Sequence, residues 1–139
     1  MAHFVEQYLP QAIESVRAMI RFDSSFRKEE GYPFGKQTAE CLHAFLSLAD
    51  SFGFLSRNYD DYAGEILFGE GEPFAILAHL DVVPAGDGWK YPPFEGVVND
   101  DVSVGGVGGK KIWGRGTMDD KGPAVACLYA LKTFVFEGF

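Results

Sequence analysis

The stretch Phe74-Ala75-Ile76-Leu77-Ala78-His79-Leu80-Asp81 decides how this chain is read. It opens on an apolar run without alternation, the pattern of a strand buried on both faces rather than one with a wet side. Residues 74–80 are therefore expected to form the core strand. His79 and Asp81 follow at its carboxyl end, where open α/β sheets place their ligand sites. Residues two apart in a strand project to the same side, so Asp81 is placed to hold one nitrogen of His79 while the other binds a metal. A strand-end histidine held by a neighbouring turn has the same local sequence, and the triplet alone does not separate the two.

Upstream, residues 54–59 and 64–68 are short apolar runs separated by Asp60-Asp61, and residues 69–73 (Gly-Glu-Gly-Glu-Pro) supply further turn chemistry. Before them the period changes. Ile13, Val16, Ala18, Met19 and Ile20 give residues 4–22 the pattern of an amphipathic helix entered or kinked at Pro10 and ended by Asp23-Ser24-Ser25. A second helix is expected from Lys36 to about Phe52. Ala39, Leu42, Leu46, Ala49 and Phe52 share one face of it, and Gly53 stands at the C-cap.

Downstream, residues 84–96 form a loop rich in Pro, Gly and aromatics, in which Trp89, Tyr91 and Phe94 are expected to pack against the sheet. Val97-Val98 and Lys111-Ile112-Trp113 read as strands, and residues 101–109 between them as a flexible glycine-rich hairpin. A closing helix over residues 122–136 carries Pro123 in its first turn. Two helices, a strand cluster and a closing helix define an α/β fold, a mixed sheet with flanking helices.

Bulk composition narrows the function. A chain of 139 residues, 47% hydrophobic and 15% aromatic, has enough apolar surface for one globular domain. Its formal charge is -8 and its basic residues are scattered, which argues against nucleic acid or an anionic membrane as partner. The first residues carry neither a basic leader nor an apolar segment, and the longest apolar run, residues 124–131, is too short to span a bilayer, so a cytoplasmic location is expected. Cys41 and Cys127 fall in expected helices without Cys-x-x-Cys spacing and read as free buried thiols.

A second polar cluster stands out against this apolar background: Gly114-Arg115-Gly116-Thr117-Met118-Asp119-Asp120-Lys121-Gly122-Pro123. It too follows a strand and precedes a helix. Its glycines permit a tight backbone path, and carboxylates just before a helix lie near the positive end of its dipole, which favours ionised, metal-binding oxygen. An acidic helix cap in a glycine-rich turn is the other reading. Lys121 is placed either to pair with Asp119 or Asp120 or to face water.

The segment His79 to Trp89, then Pro92-Pro93-Phe94-Glu95-Gly96, then Gly114 to Pro123, strongly resembles the M20 family of zinc metallopeptidases, and within it the bacterial Xaa-His, carnosinase-like dipeptidases. The helical start and closing helix fit as well. The resemblance implies a zinc-exopeptidase-like catalytic domain in which His79 binds one zinc, Asp119 bridges two zincs, and Asp81 is the catalytic-site residue that orients His79. Asp120 is not expected to bind metal, and the Asp119–Asp120 bond is expected to be cis. The implied reaction is hydrolysis of a dipeptide by a water that two zinc ions activate.

The family's Glu-Glu pair, later carboxylate ligand and distant histidine have no match here. Residues 1–139 thus read as the N-terminal part of the catalytic domain, without its remainder or any lid domain, and as inactive alone. Exposed apolar faces and self-association are expected of such a piece. Same-family deacylation of N-acyl amino acids, and a non-catalytic domain that binds a partner polypeptide, are the alternatives.

Other features carry less. Glu29-Glu30 reads as a solvated turn, His43 as a structural residue beside the helix core, and His3 as solvated. No phosphate loop is present, because Gly109-Lys110 is followed by Lys111 rather than Ser or Thr. Lys111 and Asp119 likewise occupy the final glycine positions of the two incomplete dinucleotide patterns.

Overall fold

The computed structural model describes residues 6–100 and 109–136. Its elements follow the expected order: α1 (Leu9–Ile20), α2 (Lys36–Ser51), β1 (Leu55–Tyr59), β2 (Ala63–Leu67), β3 (Val97–Asn99), β4 (Lys111–Trp113) and α3 (Lys121–Phe136). The class is α/β. Pro10 sits in the first turn of α1, where its missing N–H costs no helical bond. Gly53, just beyond the α2 cap Phe52, takes φ 83°, a conformation that stops the helix without a Cβ penalty.

β1 and β2 pair antiparallel from Leu55↔Leu67 to Tyr59↔Ala63. Asp60 and Asp61 both adopt positive φ, and the Tyr62 N–H closes the turn on the Tyr59 carbonyl at 3.0 Å. That handedness matches the twist of a hairpin, and Asp tolerates it better than most residues. β3 and β4 form a second antiparallel pair, Val97↔Trp113 to Asn99↔Lys111. The expected glycine-rich hairpin over 101–109 lies almost wholly outside the described residues, as does His3.

The core is helical. Val16, Met19 and Ile20 of α1 meet Cys41 and Ala49 of α2 and Val125, Leu128 and Tyr129 of α3, with Phe52 and Phe54 closing one end. Phe52 packs edge-on against Tyr129 at 5.1 Å, and the Tyr129 hydroxyl shares a 2.9 Å hydrogen bond with Ser15. Each such apolar side chain, fully removed from water, contributes about 1.5–3 kcal/mol. Cys41 and Cys127 are free thiols on α2 and α3; Cys41 is buried, Cys127 partly so. Burial pushes the Cys41 thiol up despite Lys121 and Ser24 nearby.

The expected core strand is not buried. Residues 74–79 form no strand and join neither two-stranded sheet, and Phe74 and Leu77 are 89% and 93% exposed. A strand becomes doubly buried only when neighbouring strands and covering helices flank it, and among the described residues both sheets form elsewhere. Just beyond it, Val82 forms an isolated parallel bridge with Ser25. No helix among the described residues is long and apolar enough to cross a membrane.

Candidate metal centre

The chain is anchored where this segment ends. Val82 is buried and its N–H donates to the Ser24 carbonyl at 3.2 Å, while the Ser24 hydroxyl donates to the Leu80 carbonyl at 2.6 Å. Leu80 itself packs against the helical core. His79 and Asp81 therefore flank a fixed residue, and both project from its exposed side.

The second cluster folds toward them. After β4 the chain turns tightly through residues 114–120 and enters α3, whose first backbone bond runs from Ala124 N–H to the Asp120 carbonyl at 2.9 Å. Gly116 makes this turn possible. It takes φ 88°, and a Cβ there would lie 2.9 Å from Val82 Cγ1. The Asp119–Asp120 peptide bond is cis, as the family resemblance implied.

His79 Nε2 lies 2.9 Å from Asp119 Oδ1. Its Nδ1 lies 3.1 Å from the Asp81 carbonyl oxygen and 3.3 Å from Asp81 Oδ1, so Asp81 reaches that ring nitrogen twice. Asp120 turns back in a different way: its Oδ2 accepts the His79 backbone N–H at 3.1 Å. The two clusters thus meet through both carboxylates of the Asp119-Asp120 pair. A cavity of about 310 Å³ opens beside them, lined by His79, Asp81, Val82, Arg115 and Asp119 among others.

Electrostatics follow from this crowd of carboxylates. Partial burial of the His79 ring opposes protonation, but its hydrogen bonds to the Asp81 carbonyl and to Asp119, with the charges of Asp81 and Asp120, outweigh that and raise its pKa above the ordinary imidazole value. The same negative field draws a cation. An imidazole nitrogen and a carboxylate oxygen, half and mostly exposed and facing each other, are a donor pair suited to zinc. They fit such an ion as half a site, since among the described residues no group of three or more His, Cys, Asp or Glu converges on one point.

Lys121 does neither of the things its position suggested. It is fully buried, and its Nζ donates to the Phe22 carbonyl at 2.7 Å instead of pairing with Asp119 or Asp120. Desolvation pulls its pKa below the ordinary lysine value, against the nearby Cys41, Asp23 and Asp81. Polar residues in an acidic cluster look solvated in sequence, and only the fold reveals that α1 ends within reach.

Arg115 is a second residue whose part the sequence does not mark. Its guanidinium donates to the Ala85 carbonyl at 3.0 Å and lies 5.2 Å from the Trp89 ring centroid, while the Trp89 indole N–H donates to the same carbonyl at 2.9 Å. Its backbone N–H bonds the Pro93 carbonyl at 2.8 Å. The loop over residues 84–93 is thereby tied to the turn that carries Asp119. Tyr91 packs on Trp113 of β4, as expected of a loop-anchoring ring.

His43 is structural but exposed. Its Nε2 lies 2.6 Å from Asp61 Oδ1, and Asn58 bonds the same oxygen at 2.7 Å, so the three brace the β1–β2 turn against α2. Glu29 and Glu30 are exposed, as expected of a solvated turn, and the Glu29 carboxylate also accepts the Lys36 N–H at the start of α2.

Residues 75–139, which contain every residue of the candidate centre, match the model of Peptidase family M20/M25/M40. Over that stretch, a little under half of its length, the chain resembles that peptidase family. The chain is 36% identical over 131 residues to the Beta-Ala-Xaa dipeptidase of Lactobacillus delbrueckii subsp. lactis, covering 91% of this chain and 26% of that protein. It is 37% identical over 132 residues to a dipeptidase-named protein of Staphylococcus aureus (strain USA300), covering 92% and 26%. The chain therefore spans about a quarter of the length of the curated relatives it matches.

Proposed function

We propose that this chain supplies half of a dinuclear zinc centre in a dipeptidase. The observation that carries the reading is the 2.9 Å approach of His79 Nε2 to Asp119 Oδ1 from segments 40 residues apart, inside the family-matched stretch. His79, through Nε2, and Asp119, through its carboxylate, are the residues that would hold the zinc pair. Asp81 holds the ring by Nδ1, which fixes the tautomer and leaves Nε2 as the donor. Asp120, engaged by the His79 N–H, holds the two segments together rather than binding metal.

When bound, a zinc pair supplies a water of lowered pKa and polarises the carbonyl it attacks. The names of the relatives favour a dipeptide as the substrate. Residues 1–139 act as part of a catalytic domain whose remaining ligands and general base come from elsewhere in the polypeptide. By itself this chain hydrolyses no dipeptide, because two protein ligands leave a zinc mostly hydrated and weakly held.

Calorimetric zinc titration of the chain beside His79→Ala and Asp119→Ala tests this. Weak binding that both variants lose is expected. Equal, negligible binding in all three would remove the half-site, and peptidase turnover by the purified chain would remove the claim of inactivity.

A further inference from the structure

The two ligand-bearing segments do not merely touch each other, because both are fastened to the same short stretch behind them. Residues 22–25 follow α1 and lie under the site. On one side Lys121, the residue after Asp119-Asp120, donates to the Phe22 carbonyl at 2.7 Å. On the other, Ser24 donates to the carbonyl of Leu80, between His79 and Asp81, at 2.6 Å, and its own carbonyl accepts the Val82 N–H at 3.2 Å. Lys121 and Ser24 are both 0% exposed.

We propose that Lys121 and Ser24 are positioning residues that set His79 against Asp119 through the joint formed by residues 22–25, an inference that rests on the zinc half-site reading above. A fully buried ammonium is costly, and stability alone would be served as well by an apolar side chain of the same length. A donor there does what an apolar chain does not: it fixes the turn carrying Asp119 to a particular carbonyl. Ser24 does the same for the His79 segment from the same joint. Gly116 allows the turn to lie on the Lys121 stem, since a Cβ there would come within 3.0 Å of Lys121 Cδ.

Geometry and charge predict opposite results. Lys121→Met keeps the stem and removes the donor. Losing an amine, charged or neutral, does not weaken a nearby cation's binding by electrostatics, so a loss of zinc affinity reports a shift in ligand placement. Ser24→Ala removes the other tether with no change of charge.

The experiment measures zinc affinity by calorimetry, and hydrogen exchange of the His79 amide by NMR, in the whole chain and both variants. The amide reads the contact between the clusters directly, because its partner is Asp120. Each variant is expected to keep a cooperative melt, to bind zinc about tenfold more weakly, and to exchange the His79 amide faster. A lower melting temperature with zinc affinity and His79 protection unchanged would mean these residues only stabilise, and would overturn the proposal. Should Lys121→Met fail to fold, Ser24→Ala decides by the same two readings. If the parent chain binds zinc no better than His79→Ala, the half-site reading has failed on its own. Exchange then judges the positioning: unchanged His79 protection overturns it, and faster exchange upholds it.

Discussion

Residues 74–79 and the face of α3 that carries Val125, Leu128 and Tyr129 are both rich in apolar side chains, yet the molecule treats them oppositely. The α3 residues are at most 6% exposed, whereas Leu77 is 93% exposed. The difference lies in partners rather than composition. α3 finds α1 and α2 within the chain, while residues 74–82 are held at their far end, where His79 meets Asp119 and Asp120 and where Leu80 and Val82 meet Ser24. His79 stands at the boundary between these regimes, and Asp119 on the well-anchored side.

The contrast breaks or holds most visibly in the core. Leu128→Ala should cost about 2–5 kcal/mol in urea unfolding, while Leu77→Ala should change stability by no more than about 0.5 kcal/mol. Similar losses at both positions would mean that residues 74–79 are buried in solution. Next in size is Gly116→Ala, which forces a side chain into a positive-φ site against Val82. It should cost about 1–3 kcal/mol by the same measurement, and a neutral result would show that the turn is looser than its contacts imply.

A smaller effect concerns association. Phe74, Ile76 and Leu77 expose apolar side chains close together in the sequence, which favours self-association at high concentration. Leu77→Glu should shift light scattering toward the monomer, and unchanged scattering would place the contact elsewhere.

The smallest effect tests the joint itself. Desolvation raises the Asp23 carboxyl, but hydrogen bonds from Ser25 and the Arg27 guanidinium outweigh it and hold its pKa below 3.8. A depressed folded pKa contributes stability that is present above the unfolded value and lost as pH falls through the folded one. Asp23→Asn should therefore lower the melting temperature at pH near neutrality, with the gap closing as pH falls below 3.8. A gap that is constant with pH would show that the carboxylate makes no net contribution.

Local features of the fold are largely legible in the sequence. Period, Pro10, Gly53 and Asp60-Asp61 place the helices and the first hairpin to within a few residues, because those signals act over one turn of chain. The pairing of His79 with Asp119 follows from two strand-end clusters and a family resemblance. What stays hidden depends on distant parts of the chain. Nothing local distinguishes a buried Lys121 from a solvated one, or marks Ser24 as more than a helix stop. The apolar run at residues 74–80 signals a preference for burial, and it does not say which strands would provide it.

The most direct test is NMR of the imidazole nitrogens of His3, His43 and His79 during zinc addition to the chain. A half-site of the kind proposed predicts that Nε2 of His79 alone takes the metal shift, that Nδ1 stays protonated beside Asp81, and that Asp119→Ala weakens the response. A response centred on His43, or one at His79 indifferent to Asp119, would contradict it.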